Sequence, residues 1–372
     1  MKINILQGAF LPVPPIKGGA IEAAWFNLGK EFVREGHEVC HISRLDEGLQ
    51  KNEDIAGVKH QRIKGAKAIN NPWILKALEL PYVLRARRIM SPADILVTHA
   101  FWAPILFPRQ EYGVQYIHVG RYPKGQLRLY KKAARLQVPS KAIEEACKQE
   151  ASSMSSKIKT LPYPLTWDVP PEVDFESKEK VVLYAGRIHP EKGVMSLCEA
   201  WNRLPGEIAK GWTLRILGPW KQEEGGGGIF FKNKLLNLIS KGNNKIELCN
   251  PIFDRTDLKE VMIKAKYFIY PSQATLGETF GLSVLEAMSC GCVPIVSSLP
   301  CFQDFIRSGI EGIILDANHS NPALEIEKEM QAILQLNMGE YKRFSTAAWT
   351  KAEEYSASKV AEKYLRDFRS LL

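Results

Sequence analysis

No run of apolar residues in this 372-residue chain approaches the roughly 18–20 that a membrane-spanning helix needs. The seven cysteines form no C-x-x-C pair and are scattered mostly through apolar stretches, which argues against a disulfide framework or a zinc ribbon and for reduced, buried thiols. There is no D-x-D, so carboxylates spaced for a divalent cation are missing. There is no G-x-G-x-x-G either, which counts against an ordinary nicotinamide dehydrogenase. No leader pattern precedes KINIL at residues 2–6, which reads at once as a strand, so a cytoplasmic address is expected. With 45% hydrophobic and 24% charged residues the chain reads as globular, and its length suggests two domains.

The formal net charge of +9 is unevenly spread. Residues 1–165 hold 25 Lys and Arg against 14 Asp and Glu, and the remainder holds 25 against 27. The basic patches lie at residues 59–67, in ALELPYVLRARR ending at Arg88, and at 121–141. Such a half attracts phosphates, whether of nucleic acid, anionic lipid head groups or a pyrophosphate-bearing acceptor. No nucleic-acid module is recognisable, so nucleic acid is not the expected partner. The stretch 71–90 has an apolar and a basic side; it either lies on an anionic membrane or packs against the first domain, and Pro81 is expected to interrupt its helix.

The most informative stretch is GETFGLSVLEAMSCGC, residues 277–292. KYFIYPS before it reads as a buried strand ending at Pro271. A helix is expected from about Gly281, with Leu282, Leu285 and Met288 facing the core and Gly291 at the cap. Glu278 then falls in the loop and Glu286 in the helix, at most roughly 12 Å apart at 1.5 Å per residue. Between them lie the free N–H groups of the helix start around Phe280, Gly281 and Leu282, which attract anions. A ligand with a sugar at one end, a ribose at the other and a diphosphate between would meet all three. Cys290 and Cys292 have no second ligand pair and read as structural.

Upstream, VVLYAGRIHPEKGV at 181–194 reads as strand, loop and helix. Gly186 and Gly193 flank a loop carrying Arg187, a planar fork of donors, and Lys192, a point charge; together they can neutralise a diphosphate. Gly18 and Gly19 stand before a helix expected near Ile21, where bare backbone can approach a phosphate. HEVCH at 37–41 matches the zinc-protease pattern H-E-x-x-H, but it follows Gly36 and alternates like a strand, which holds the two histidines roughly 13 Å apart. ADILVTHAF and GVQYIHVG read as consecutive strands ending in His99 and His118, both aimed at the ligand crevice of a doubly wound sheet.

The set formed by E-x7-E at Glu278 and Glu286, Ala287, Met288 and Gly291, and G-R-x4-K-G at 186–193, resembles the signature of retaining family 4 glycosyltransferases of GT-B fold. The resemblance covers nearly the whole chain and is weakest over 45–92. It implies an α/β fold of two Rossmann-like domains facing a cleft: residues 1–165 for the acceptor, and 166–346 for the donor. A final helix at 347–372 is expected to pack back on the first domain. It implies transfer of a sugar from a UDP, GDP or ADP sugar to a carbohydrate, glycolipid or small-molecule acceptor with retention. No cofactor or metal is needed, because Arg187, Lys192 and backbone N–H groups carry the leaving-group charge. Gly18 and Gly19 would contact the donor diphosphate and His118, ahead of His99, the donor sugar and acceptor. Glu278 would hold the sugar hydroxyls and Glu286 the ribose. The expected setting is glycan, glycolipid or polysaccharide biosynthesis, in the cytoplasm or at the inner face of the membrane. The rival reading is a non-catalytic sugar-nucleotide or polyanion-binding protein of the same fold.

Overall fold

A computed structural model describes residues 1–67, 69, 71–107, 109–316 and 321–372. The chain divides into two compact units, residues 1–166 with 355–372, and residues 167–354.

The first unit is built on an eight-stranded sheet. Its strands are β1 (Lys2–Leu6), β2 (Glu38–Arg44), β3 (Asn52–Ile55), β4 (Val58–Ile63), β5 (Ile95–Thr98), β6 (Val114–His118), β7 (Arg135–Val138) and β8 (Ile158–Thr160), in the spatial order β3-β4-β2-β1-β5-β6-β7-β8. Only β3 is antiparallel, as the edge half of a hairpin with β4. The rest are parallel, and β5 and β6 are buried at every position because helices cover both faces. The order reverses between β1 and β5, so the loops after these two strands part there. Helix α1 (Ala20–Arg34) follows β1 and buries Trp25, Leu28 and Phe32.

Helix α2 (Pro72–Ile89) runs unbroken through Pro81, contrary to the expected interruption. Asn71 starts it, its side chain accepting from Trp73 and Ile74 N–H. Pro81 sits on the exposed side, where water can solvate the carbonyl of Ala77 that the proline leaves without its helical donor.

The second unit carries a six-stranded parallel sheet of β9 (Glu179–Ala185), β10 (Thr213–Leu217), β11 (Ile246–Cys249), β12 (Ala265–Tyr270), β13 (Val293–Ser297) and β14 (Ile313–Leu315), ordered β11-β10-β9-β12-β13-β14. Counted from β9 this is 3-2-1-4-5-6, the doubly wound order whose switch point lies between the first and fourth strands. Helices α3 (Val194–Arg203), α4 (Arg255–Lys264) and α5 (Leu282–Ser289) follow β9, β11 and β12.

The single helix expected over 347–372 is two. Helix α6 (Met338–Glu353) belongs to the second unit and α7 (Ala357–Arg369) to the first. Tyr355 turns the chain between them, its carbonyl accepting from Leu165 N–H. Helix α7 docks on the first unit through Phe368 against Phe32 and through Asp367, which takes two bonds from Arg135 and one from Tyr116.

The proline-rich stretch 162–180 is not free chain beyond Thr166. Trp167 donates to Ser289, the buried Lys178 donates to the carbonyls of Ala265 and Cys290, and Pro170 accepts from Trp349. All seven cysteines are free thiols. No described helix is long and apolar enough to cross a membrane.

Candidate functional site

In the second unit the loops after β9 and β12 leave the switch point side by side. The β9 loop turns through a short 3-10 segment at Pro190–Lys192 and enters α3 at Gly193, which has a left-handed φ of 72°. A Cβ at Gly193 would lie 2.1 Å from the carbonyl oxygen of Pro271, so only glycine lets the two loops touch. That approach carries Lys192 inward. Its ammonium, only 3% exposed, donates to Glu278 Oε1, which is 9% exposed and also accepts from Ser272 Oγ at 3.2 Å. Lys192 Nζ further lies 5.9 Å from the Tyr270 ring centroid.

Arg187 sits at the mouth of the same loop with its side chain 42% exposed. One arm of its guanidinium donates to the Gly225 carbonyl at 2.8 Å and the other to Glu191 at 2.9 Å. Gly225 belongs to EEGGGG, a run with few side chains to order it. Its backbone is nevertheless tied by Gly226 to Lys221, Gly227 to Ile188 and Gly228 to Trp220, which fixes the carbonyl that Arg187 uses.

Helix α5 begins where expected. Gly281 stands at its N-cap with φ of 90°, and a Cβ there would meet the Phe302 ring at 2.4 Å. No side chain among the described residues caps this end; Val284 N–H already donates to the Gly281 carbonyl at 3.0 Å, and the Leu282 and Ser283 N–H groups ahead of it keep their donors for another partner. Leu282, Leu285 and Met288 are buried, and so is Phe280. Glu286 is not a solvated helix position: it is 2% exposed and paired with Arg255, whose guanidinium lies 4.8 Å from the Trp167 ring.

Arg255 escapes the sequence analysis; it opens α4 directly after the cap Asp254, which accepts from Thr256 and Asp257 N–H. A cation in the first turn of a helix opposes the dipole, and this misplacement was the available signal. Thus Lys192 and Glu278 are brought together directly, Arg187 joins them through Glu191, and Glu286 is held separately by Arg255.

In the first unit His99 follows β5 and His118 ends β6, their ring centroids 4.8 Å apart and both near Trp25. His118 is engaged at both nitrogens, by Gln137 Oε1 and by the Tyr163 hydroxyl at 2.8 Å, and burial pushes its pKa down to about 4. His99 is also buried and has a lowered pKa for the same reason, but neither of its ring nitrogens has a partner among the described residues. The sequence ranked His118 first; the uncommitted nitrogens belong to His99. Gly18 and Gly19 precede α1 as expected, with Glu22 leaning back over Gly19 so that a Cβ there would lie 2.3 Å from its Oε2. Burial raises the Glu22 pKa. His41 lies within β2, so H-E-x-x-H is a strand here and not a zinc helix. Among the described residues no cluster of three His, Cys, Asp or Glu side chains is placed to hold a metal ion.

Several known proteins resemble this chain. The O-antigen chain mannosyltransferase B of Escherichia coli is 30% identical over 138 residues, which is 37% of this chain and 32% of that protein. A D-inositol 3-phosphate glycosyltransferase of Streptomyces bingchenggensis is 28% identical over 182 residues, 49% of this chain and 38% of its own. The chain thus spans about a third of the length of these curated relatives. Among solved structures, the sucrose-phosphate synthase of Thermosynechococcus elongatus covers the whole chain and 99% of its own with a TM-score of 0.77 at 18% identity. HepE of Anabaena, solved with UDP and glucose, covers 100% of both chains with a TM-score of 0.72 at 16% identity. The family described as glycosyl transferases group 1 matches residues 166–349, nearly all of the second unit. Through that unit the chain belongs to the group 1 glycosyltransferases, and its fold is GT-B.

Proposed function

We propose that the protein transfers a glycosyl group from a nucleotide-diphosphate sugar to an acceptor hydroxyl, with retention at the anomeric carbon and without a metal ion. The observation that carries this reading is the meeting of Lys192 and Glu278 at the switch point of the second unit, with Arg187 at its mouth. Ligands of doubly wound sheets bind at the carboxyl ends of the strands at that point. Two cations and an uncapped helix N-terminus there suit a diphosphate, and buried carboxylates suit hydroxyls.

In the proposed chemistry the bond from the anomeric carbon to the diphosphate oxygen breaks, and one to the acceptor oxygen forms on the same face. The acceptor proton passes to the departing phosphate. Arg187, Lys192 and the α5 N–H groups stabilise the charge that develops on the leaving group. Glu278, already oriented by Lys192 and Ser272, accepts from sugar hydroxyls, and Glu286, oriented by Arg255, accepts from the ribose. Neither acts as a nucleophile. In the first unit Gly18 and Gly19 offer bare backbone to the diphosphate, and His99 and His118 are assigned to the donor sugar and acceptor. The absence of D-x-D supports metal independence.

Relatives named for GDP-mannose and a structural neighbour solved with UDP-glucose make both nucleotides candidates. A thermal-shift panel of UDP, GDP and ADP sugars, followed by transfer of labelled sugar from the stabilising donor in the presence of EDTA, tests the reading. Donor-dependent stabilisation with turnover that survives EDTA supports it. Binding without hydrolysis or transfer would leave a non-catalytic binder, and strict metal dependence would overturn the charge assignment.

A further inference from the structure

The first unit carries a second charged feature on β3, β4 and α2. A groove of about 570 Å³ is lined by Lys51, Arg62, Lys64, Arg85 and Arg88, with no carboxylate among its lining residues. Arg62 is 0% exposed and is held by the carbonyls of Val13 and Gln50 and by Glu53, yet its Nη2 has no partner among the described residues. A guanidinium buried against a cationic groove with an unused donor favours an anion beside it.

The groove is continuous with an apolar surface. Along α2, residues 73, 74, 77, 78, 81, 84, 85, 88 and 89 are all exposed. At 3.6 residues per turn they fall within an arc of about 160°. The first three turns of this arc present Trp73, Ile74, Leu78, Pro81 and Leu84 to solvent, with Trp73 77% exposed. The last turn presents Arg85 and Arg88, which also line the groove, and Ile89. A solvent-facing stripe of this composition is uncovered among the described residues, the opposite face of the helix packing Tyr82, Val83 and Ala86 into the core.

We propose that the first unit docks peripherally on an anionic lipid bilayer, the outward face of α2 lying in the head-group region and lipid phosphates seated in the Arg62 groove. The helix is about 27 Å long at 1.5 Å per residue, enough to lie in the interface plane. Charge and apolarity together select the occupant. A nucleic acid would use the cations but leave Trp73, Ile74 and Leu78 in water, whereas a bilayer takes both, with cations at the phosphate level and the tryptophan at the boundary. The inference does not require the transferase reading, and its test needs no sugar donor.

The experiment is co-sedimentation of the full chain with vesicles of phosphatidylcholine alone or with roughly one-third phosphatidylglycerol. The wild type is expected to partition onto the anionic vesicles and to be released by high salt. The variant R85E/R88E should bind at least about thirtyfold more weakly, the figure for two lost cations before the repulsion of the two new carboxylates is added. W73S/L78S should bind about tenfold more weakly or worse, while W73F keeps binding. All four positions are exposed, and circular dichroism checks that each variant is folded. Equal partition onto neutral vesicles, or wild-type binding by either double variant, overturns the proposal. So does inorganic pyrophosphate binding that needs Arg85 but not Trp73, which would mean a soluble phosphate ligand. Self-association without lipid that W73S/L78S abolishes would mean a second copy on this face and would equally overturn it.

Discussion

Lys192 and Glu278 are 86 residues apart in sequence and form a buried ion pair at the carboxyl ends of β9 and β12. Each is delivered by a different loop of the switch point, and the pair therefore records the doubly wound order of the second unit in a single contact. It also holds a cation and an acid ready in a dry setting, where charge acts more strongly than in water.

Removing one partner leaves the other charge buried. Lys192→Ala is expected to destabilise the second unit by about 3–5 kcal/mol. The double variant Lys192→Met with Glu278→Gln should recover most of that loss while donor turnover stays abolished. Calorimetric unfolding and a transfer assay on the same preparations separate the two roles. A double variant that regains both stability and turnover would show the pair to be only structural.

Arg187 bridges the Gly225 carbonyl and Glu191 with the two arms of its fork. Lysine keeps the charge but not the fork, so Arg187→Lys should lower kcat/KM for the donor about ten- to a hundredfold, the range of a lost hydrogen bond to a charged group. Little change in fold stability is expected because the side chain is partly exposed. Kinetics indistinguishable from wild type would remove Arg187 from the phosphate site.

The first unit should lose stability in mild acid. Burial holds His60 and His118 down to about 4, and lowers His41 and His99 in the same direction. In the unfolded chain histidine titrates near 6.5. Between about 4 and 6.5 the unfolded state therefore binds more protons, and the stability these neutral rings contribute is complete above about 6.5 and lost as pH falls. Glu79 opposes them: burial pushes its pKa up to about 7, so its contribution declines as pH rises from its ordinary 4.5 toward 7. Glu22, which burial also raises, acts in the same sense as Glu79, and His37, also lowered by burial, sides with the other rings, so five rings against two carboxyls set the sign. The melting temperature should drop between pH 6.5 and 5, and His60→Gln should flatten the slope. A melting temperature that rises over that interval would contradict this assignment.

Much of this architecture was legible because it rests on short apolar runs between turn residues. β1, β6, β9 and β12 all begin and end within two or three residues of the expected positions, and α5 starts at Gly281 as read. Where the reading failed, long-range packing outvoted local signal. Pro81 sits inside α2 because the helix is pinned by Tyr82, Val83 and Ala86, which are fully buried. The glycines of EEGGGG are ordered because Ile188, Trp220 and Lys221 accept their N–H groups, which no local pattern announces. Ala352, Tyr355, Val360, Tyr364 and Phe368 recur as one apolar stripe and all five are buried; what the stripe cannot show is that Ala352 is buried in the second unit and the other four in the first. In the candidate site, motif spacing exposed Arg187, Lys192, Glu278 and Glu286. The partners that orient them, Arg255, Ser272 and Gly225, come from unrelated loops and had no spacing to betray them.

The most direct test of the central claim is calorimetric titration of UDP and GDP into the wild type, Arg187→Ala and Glu286→Ala. One nucleoside diphosphate should bind the wild type. Arg187→Ala should weaken it through the phosphates and Glu286→Ala through the ribose, each by about ten- to a hundredfold. Equal affinity in all three proteins would contradict the assignment of this switch point to a nucleotide sugar.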